Sequence, residues 1–131
     1  MKIFVLEDNA PRIATFKQEF DCMKDFVSYD IAETINQALP LIKENKYDLI
    51  FLDHDLGNET FVEVGGELSG YNVAKEIPNT INKDTHVIIH SWNIGAAQKM
   101  KEVIGDTSEC APFGMFDLER AIRIFQNVVS G

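Results

Sequence analysis

The chain has few cysteines, few basic residues and no long apolar run, and each shortage argues against a class of protein. Its two cysteines, Cys22 and Cys110, fit reduced thiols better than a disulfide framework. Twelve Lys and Arg stand against 21 Asp and Glu, and a net charge of −9 argues against an extended nucleic-acid surface. No apolar run approaches transmembrane length, and Met1 leads directly into a strand-like segment without a signal peptide. We therefore expect a cytoplasmic protein with no membrane partner.

Length and composition predict one ordinary globular domain. The 131 residues are 45% hydrophobic and 25% charged, which is typical of a chain that buries a single core. We expect that domain to span residues 1–131, and composition leaves its oligomeric state open.

Apolar segments of strand length alternate with segments of helical periodicity. The predicted strands are residues 2–6, 26–31, 49–52, 86–89 and a weaker 108–111. The helices between them start near Asn9, Thr34, Ser69 and Asn93, and a last one starts at Asp117. Five such alternations predict a parallel sheet with helices on both faces, joined by right-handed crossovers.

Polar side chains follow three of these strands. Glu7 and Asp8 follow the first, and Asp53, His54 and Asp55 follow the third. His90, Ser91, Trp92 and Asn93 follow the fourth. Ligands of open α/β sheets bind outside the carboxyl ends of the strands, so these residues form the candidate site, with Asp53 at its centre.

The acidic residues predict a divalent cation at this edge of the sheet. Carboxylates that converge either share a proton or bind a cation, and oxygen ligands select Mg²⁺ or a similar ion such as Mn²⁺. Asp8 and Asp53 are the main candidate ligands. Glu7 either assists the metal or pairs with Arg12. The alternative is a cluster of solvated loop acids.

The histidines and the polar residues near them have two interpretations each. His54 and His90 are either hydrogen-bonded structural residues or proton-transfer groups. By strand alternation His54 points away from the side of Asp53, so His90 is the stronger candidate. Asn93 and Gly95 first serve the start of a helix, whose free N–H groups also suit a phosphate oxygen. Trp92 is core or a stacking surface, and core is favoured.

The segment 58–69 is a long connection beside Asp53. Its position suggests a lid, and a plain surface loop is the alternative.

The chain resembles the receiver domains of two-component response regulators over nearly its whole length. The resemblance rests on Leu6-Glu7-Asp8-Asn9 with Arg12, on Asp53 after Leu-Ile-Phe-Leu, on Gly70, on Ser91 after Val-Ile-Ile-His, and on Pro112. It implies a flavodoxin-like, three-layer fold with strand order 2-1-3-4-5. It also implies a magnesium site at Asp8, Asp53 and the backbone of Asp55, with Asp53 as phosphoacceptor.

Two features separate the chain from ordinary receivers. Ala111 stands before Pro112, where receivers carry a lysine, and His54 and Asp55 follow Asp53. The segments Asp-His-Asp-Leu-Gly and His-Ser-Trp-Asn resemble a divergent branch, the cyclic-phosphate-processing receiver-like domains. That resemblance implies action on a cyclic phosphate in place of phosphoryl relay.

Our first functional hypothesis is a metal-dependent phosphodiesterase that opens a small cyclic phosphate. In it Asp8 and Asp53 hold the metal, His90 is the acid for the departing oxygen, and Asp55 or His54 orients the water. Ser91 and the N–H groups after Asn93, including that of Gly95, bind the phosphate. The alternative is a divergent receiver phosphorylated on Asp53. A purely structural domain would leave the clustered acids unexplained.

Overall fold

Strands and helices alternate along the chain in the computed structural model, which describes residues 1–56, 66, 69–114, 118, 120 and 122. The elements are β1 (Lys2–Leu6), α1 (Ala10–Asp21), β2 (Ser28–Ala32), α2 (Ile35–Glu44), β3 (Leu49–Leu52), α3 (Tyr71–Ala74), β4 (His86–Ile89), α4 (Ile94–Ile104) and β5 (Ser108–Cys110). A 3-10 turn, Ile77–Asn79, lies between α3 and β4. Within this part of the chain, no helix has the length and apolar character needed to cross a membrane.

The five strands form one parallel sheet in the order β2-β1-β3-β4-β5. This order confirms the flavodoxin-like fold implied by the receiver resemblance. Periodicity alone could not give it, because the order of strands depends on contacts between distant segments.

Both faces of the sheet are covered, which explains why β3 is apolar without interruption. Ile50 and Leu52 pack in the core on the face covered by α2, α3 and α4. Leu49 and Phe51 pack in a second core on the opposite face, against α1. Successive side chains of a strand point to opposite faces, so a strand buried on both faces needs apolar residues at every position.

The two predicted helix caps of the first half of the chain are present. The Asn9 side chain accepts from the N–H of Arg12, and the Thr34 side chain accepts from the N–H of Gln37. These bonds satisfy N–H groups that the first turn of a helix leaves without a partner. Pro40 lies inside α2.

The bounds of β2 and β5 differ from the sequence prediction, and β2 also ends one residue later, at Ala32. β2 begins at Ser28 because the N–H groups of Phe26 and Val27 both donate to the carbonyl of Met23, which continues the turn after α1. β5 ends at Cys110. The helix after β3 is short: α3 ends at Ala74, and Pro78, which has no N–H to donate, lies in the separate 3-10 turn.

Two sequence predictions fall mostly on residues outside the described part. They are the lid or loop at 58–69, of which Gly66 and Ser69 are described, and the last helix. Leu118, Arg120 and Ile122 are helical, and Leu118 and Ile122 are buried in the core that α1 covers.

Candidate metal centre and its surroundings

Three side chains stand in a row across the carboxyl ends of β1, β3 and β4. The last residues of the three strands are paired in the sheet: Leu6 of β1 lies opposite Leu52 of β3, and Leu52 lies opposite Ile89 of β4. The next residues in the three strands are Glu7, Asp53 and His90. The N–H of Asp53 donates to the last carbonyl of β1 at 3.1 Å, and the N–H of His90 donates to the last carbonyl of β3 at 2.9 Å. The parallel pairing therefore continues for one residue and aligns the three side chains.

Glu7, Asp53 and His90 each offer one ligand atom, and these atoms all lie within 4.8 Å of one another. Glu7 and His90 are fully buried, and Asp53 is 4% exposed. Among the described residues, these three form the group of His, Cys, Asp or Glu side chains that is close enough together to hold a metal ion. Convergence of the first, third and fourth strand ends is what the sequence predicts for Asp53 and His90.

Glu7 is the most heavily bonded member of the group. Its Oε2 lies 2.7 Å from His90 Nε2, and its Oε1 accepts from the N–H groups of Asp8 at 3.2 Å and Asn9 at 3.0 Å. The guanidinium of Arg12 lies 3.8 Å from Oε2. Burial opposes ionisation of Glu7, but the hydrogen bond and charge of His90 outweigh it, so the pKa of Glu7 lies below its usual value. Glu7 is thus a buried carboxylate beside two potential cations, which leaves both sequence interpretations of this residue open.

Asp53 lies in a less favourable environment for its charge. Burial raises its pKa to about 6, and the neighbouring Glu7 carboxylate adds to the rise, against the opposing effects of His90 and Arg12. Its Oδ1 accepts from the N–H of His54 at 2.8 Å. A cation beside Asp53 would offset the cost of its ionised form.

Aromatic rings surround the imidazole of His90. Its centroid lies 5.4 Å from that of Phe16, 6.4 Å from that of Phe51 and 6.3 Å from that of Phe113. Nε2 faces Glu7, and Nδ1 is buried with no hydrogen-bond partner among the residues that the structure describes. A ring so enclosed is well placed to ligate a metal or to fix Glu7. The role of His90 as an acid stays a prediction.

A second polar network lies on the other face of the sheet. His54 Nδ1 is 2.6 Å from Asp55 Oδ1, and His54 Nε2 is 2.8 Å from Ser69 Oγ. The Asn93 side-chain amide donates to the same oxygen of Asp55 at 3.2 Å. His54 points away from Asp53, as strand alternation predicts, and it is fully buried. The network connects the end of β3 to the residues before α3 and α4, and Ser69 is a member that the sequence reasoning did not identify.

The β4–α4 connection contains the residues predicted to bind phosphate. Asn93 caps α4 by accepting from the N–H of Ala96 at 3.3 Å, and Ser91 Oγ accepts from the N–H of Asn93 at 3.0 Å. Ser91 is 2% exposed, whereas Gly95 is on the surface. The structural roles predicted for Asn93 and for the start of the helix are confirmed, and phosphate binding by these residues stays a prediction.

One sequence interpretation needs correction: Trp92 is not part of the core, since 52% of it is exposed. The group of Glu7, Asp53 and His90 does not include the carboxylates of Asp8 and Asp55. Asp8 comes one residue after the row, and Asp55 is bonded to His54 in the second network. Metal binding by Asp8 and by the backbone of Asp55 stays a prediction.

The residues present fit a divalent ion, with a ligand set that differs from the one implied by the receiver resemblance. Glu7 and Asp53 would supply carboxylate oxygens, which suit Mg²⁺ and Mn²⁺. His90 would supply an imidazole nitrogen, a donor that transition ions accept more readily than Mg²⁺ does. Ligation through Nε2 requires the tautomer that carries its proton on Nδ1.

The parallel sheet, its strand order and the acidic group at its carboxyl edge define a receiver-like domain. Residues 1–106 match the model of the cyclic-phosphate processing receiver domain family, and the chain belongs to that family. No curated protein matches it in sequence.

Solved receiver domains share the fold. The receiver domain of a sensor histidine kinase from Pseudomonas aeruginosa PAO1, described with a magnesium ion in its active site cleft, is 18% identical, with a TM-score of 0.72 over 99% of this chain and 98% of that one. A CheY-like receiver domain protein from Methanospirillum hungatei JF-1 is 12% identical, with a TM-score of 0.71 over 98% and 93%. The HemR receiver domain from Leptospira biflexa is 23% identical, with a TM-score of 0.69 over 99% and 94%.

Proposed function

We propose that the protein hydrolyses a small cyclic phosphate with the help of a divalent ion held by Glu7, Asp53 and His90. The observation that carries the proposal is the buried group of these side chains, whose ligand atoms lie within 4.8 Å of one another at the carboxyl edge of the sheet. The family's description supplies the substrate class. The magnesium ion in the Pseudomonas aeruginosa receiver domain supports a divalent ion at this edge.

Hydrolysis adds water across one P–O bond of the ring, so that the phosphorus gains a hydroxyl and the departing alkoxide gains a proton. The ion would neutralise charge on the phosphoryl oxygens and lower the pKa of a bound water. Glu7 and Asp53 hold the ion, and the hydrogen bonds from Asp8, Asn9 and His54 keep their carboxylates in position.

Positive charge and free N–H groups near the site would bind the phosphate. Arg12 lies 3.8 Å from Glu7, and its side chain is 27% exposed, so it can reach both the metal group and an arriving anion. The first turn of α4 adds the positive end of a helix dipole. The bonds from Asn93 and His54 to Asp55 place Asp55 at the start of that helix. Orientation of water by Asp55 or His54 remains part of the proposal.

A panel of cyclic phosphates, assayed with Mn²⁺, with Mg²⁺ and with a chelator, tests the proposal. We expect turnover of at least one small cyclic phosphate, higher activity with Mn²⁺ than with Mg²⁺ because of the imidazole ligand, and none with the chelator. Thermal melts should rise with either ion, since a ligand that binds only the folded state stabilises it. The absence of both turnover and a melting shift would reject the site.

The alternative function is a divergent receiver phosphorylated on Asp53. The position of Asp53 at the end of β3 in a receiver fold favours this function. Ala111 disfavours it, because Ala111 stands where receivers carry a lysine and so supplies no cation. The N–H of Ala111 continues the sheet pairing between β5 and β4. Phosphoryl transfer depends mainly on positioned charge, so we expect slow or short-lived labelling of Asp53 by acetyl phosphate. Intact-mass spectrometry is the measurement. Stable, stoichiometric labelling that Asp53→Asn removes would favour the receiver function over hydrolysis.

A further inference from the structure

Trp92 is a large aromatic side chain left exposed beside the metal group. It is 52% exposed, although it follows two buried residues, His90 and Ser91. Isolated apolar side chains on a protein surface are common and need no function. Trp92 differs from such residues in how it is held and in what lies next to it.

Phe113 holds the indole ring in a fixed relation to the metal group. The indole N–H donates to the carbonyl of Phe113 at 3.0 Å, and the N–H of Phe113 donates to the carbonyl of His90 at 2.8 Å. The Phe113 ring also contacts the guanidinium of Arg12, 5.3 Å from its centroid. Phe113 thus contacts the exposed indole of Trp92, the backbone of His90 and the guanidinium of Arg12. An anchored ring loses little further entropy when a flat ligand stacks on it.

We propose that the substrate carries a nucleobase that stacks on Trp92, so that the protein acts on a nucleoside cyclic monophosphate. This inference rests on the function proposed above. The site joins an anion-binding end, formed by the metal group and Arg12, to an aromatic end formed by Trp92. A nucleoside cyclic phosphate has the same two ends. The net charge of −9 disfavours a longer nucleic acid, whose phosphates would meet acidic surface.

The test compares adenosine 2′,3′-cyclic monophosphate with glycerol 1,2-cyclic phosphate, which lacks a base, on the full chain with Mn²⁺. Base–aromatic stacking predicts that Trp92→Ala raises KM for the nucleotide about tenfold to a hundredfold and leaves KM for the glycerol compound unchanged. Trp92→Phe should restore most of the affinity. Ile81→Ala is a matched control, because Ile81 is also 52% exposed and lies before the amino end of β4, at the opposite edge of the sheet.

Trp92 is the only tryptophan of the chain, so its fluorescence gives a second readout. The nucleotide should quench it, and the glycerol compound should not. Equal KM values of the wild type for the two substrates, or an equal rise for both in Trp92→Ala, would overturn the base assignment and leave the hydrolytic function standing. If the wild type hydrolyses neither compound but turns over another member of the panel of cyclic phosphates, the base assignment fails and the hydrolytic function stands.

Discussion

Replacement of Asp53 by asparagine is expected to abolish the ion-dependent rise in melting temperature and to reduce cyclic-phosphate turnover by more than about a hundredfold. Loss of a residue that only orients a metal ligand already costs about 10- to 100-fold, and Asp53 is a ligand in the proposed site. Asparagine keeps an oxygen that can accept the 2.8 Å hydrogen bond from the N–H of His54. The substitution therefore removes a charge from the metal group and leaves its shape nearly unchanged.

The same substitution is expected to stabilise the metal-free protein at neutral pH. Burial raises the pKa of Asp53 from its ordinary value of 3.8 to about 6, so its ionised form is disfavoured in the folded state. The protonated carboxyl of Asp53 makes its full contribution to the free energy of unfolding below about pH 4. This contribution is lost as the pH rises through about 6, because the buried group must then ionise in the folded protein. Asparagine carries no charge, so it should avoid a loss of about 3 kcal/mol at pH 7.5.

Urea unfolding of the metal-free wild type and of Asp53→Asn between pH 4 and pH 8 measures this difference. The two curves should converge near pH 4 and separate as the pH rises. Asp84→Asn is the matched control, because Asp84 is exposed and precedes the amino end of β4, on the opposite edge of the sheet. A full melting shift with Mn²⁺ in Asp53→Asn would place the ion somewhere else on the protein.

The sequence predicted which strand ends meet, but its main candidate ligand after β1 was Asp8, whereas the group of side chains that the structure brings together contains Glu7. The apolar runs of β1, β3 and β4 end at Leu6, Leu52 and Ile89, and the register pairs these positions. Glu7 then follows as the counterpart of Asp53. The receiver resemblance directed attention to Asp8, whereas counting from the end of each run would have identified Glu7.

The enclosure of His90 and the exposure of Trp92 could not be predicted from the sequence. Both depend on Phe113, which lies more than twenty positions further along the chain and joins the site through its ring and its backbone. Local patterns carry no information about such a contact. They indicate only that polar residues follow a buried strand, and the same pattern fits a ligand, a proton donor or a structural histidine.

Gly70→Ala is expected to destabilise the fold by about 3 kcal/mol, near the upper end of what overpacking usually costs. A Cβ atom at residue 70 would lie 1.8 Å from the carbonyl oxygen of Asp53 and 3.1 Å from the Cα of His54. The backbone of Gly70 is in the ordinary right-handed helical region, so the requirement for glycine is one of space. Both close neighbours are backbone atoms and cannot rotate away. The N–H of Gly70 also donates to the carbonyl of His54 at 2.8 Å, which holds the two segments together.

Gly95→Ala is the matched substitution, because a Cβ at Gly95 would have no neighbour within 4 Å. Gly95 lies in the first turn of α4, where alanine is the better helix former, so this variant should be more stable by up to about 1 kcal/mol. Urea unfolding gives both values.

Gly70→Ala should also weaken Mn²⁺ binding, since relief of the clash displaces the backbone of Asp53 and with it one ligand of the proposed site. A Gly70→Ala protein with wild-type stability would show that β3 and the start of α3 can separate without cost, and the close approach of Gly70 to Asp53 could then not be what positions Asp53.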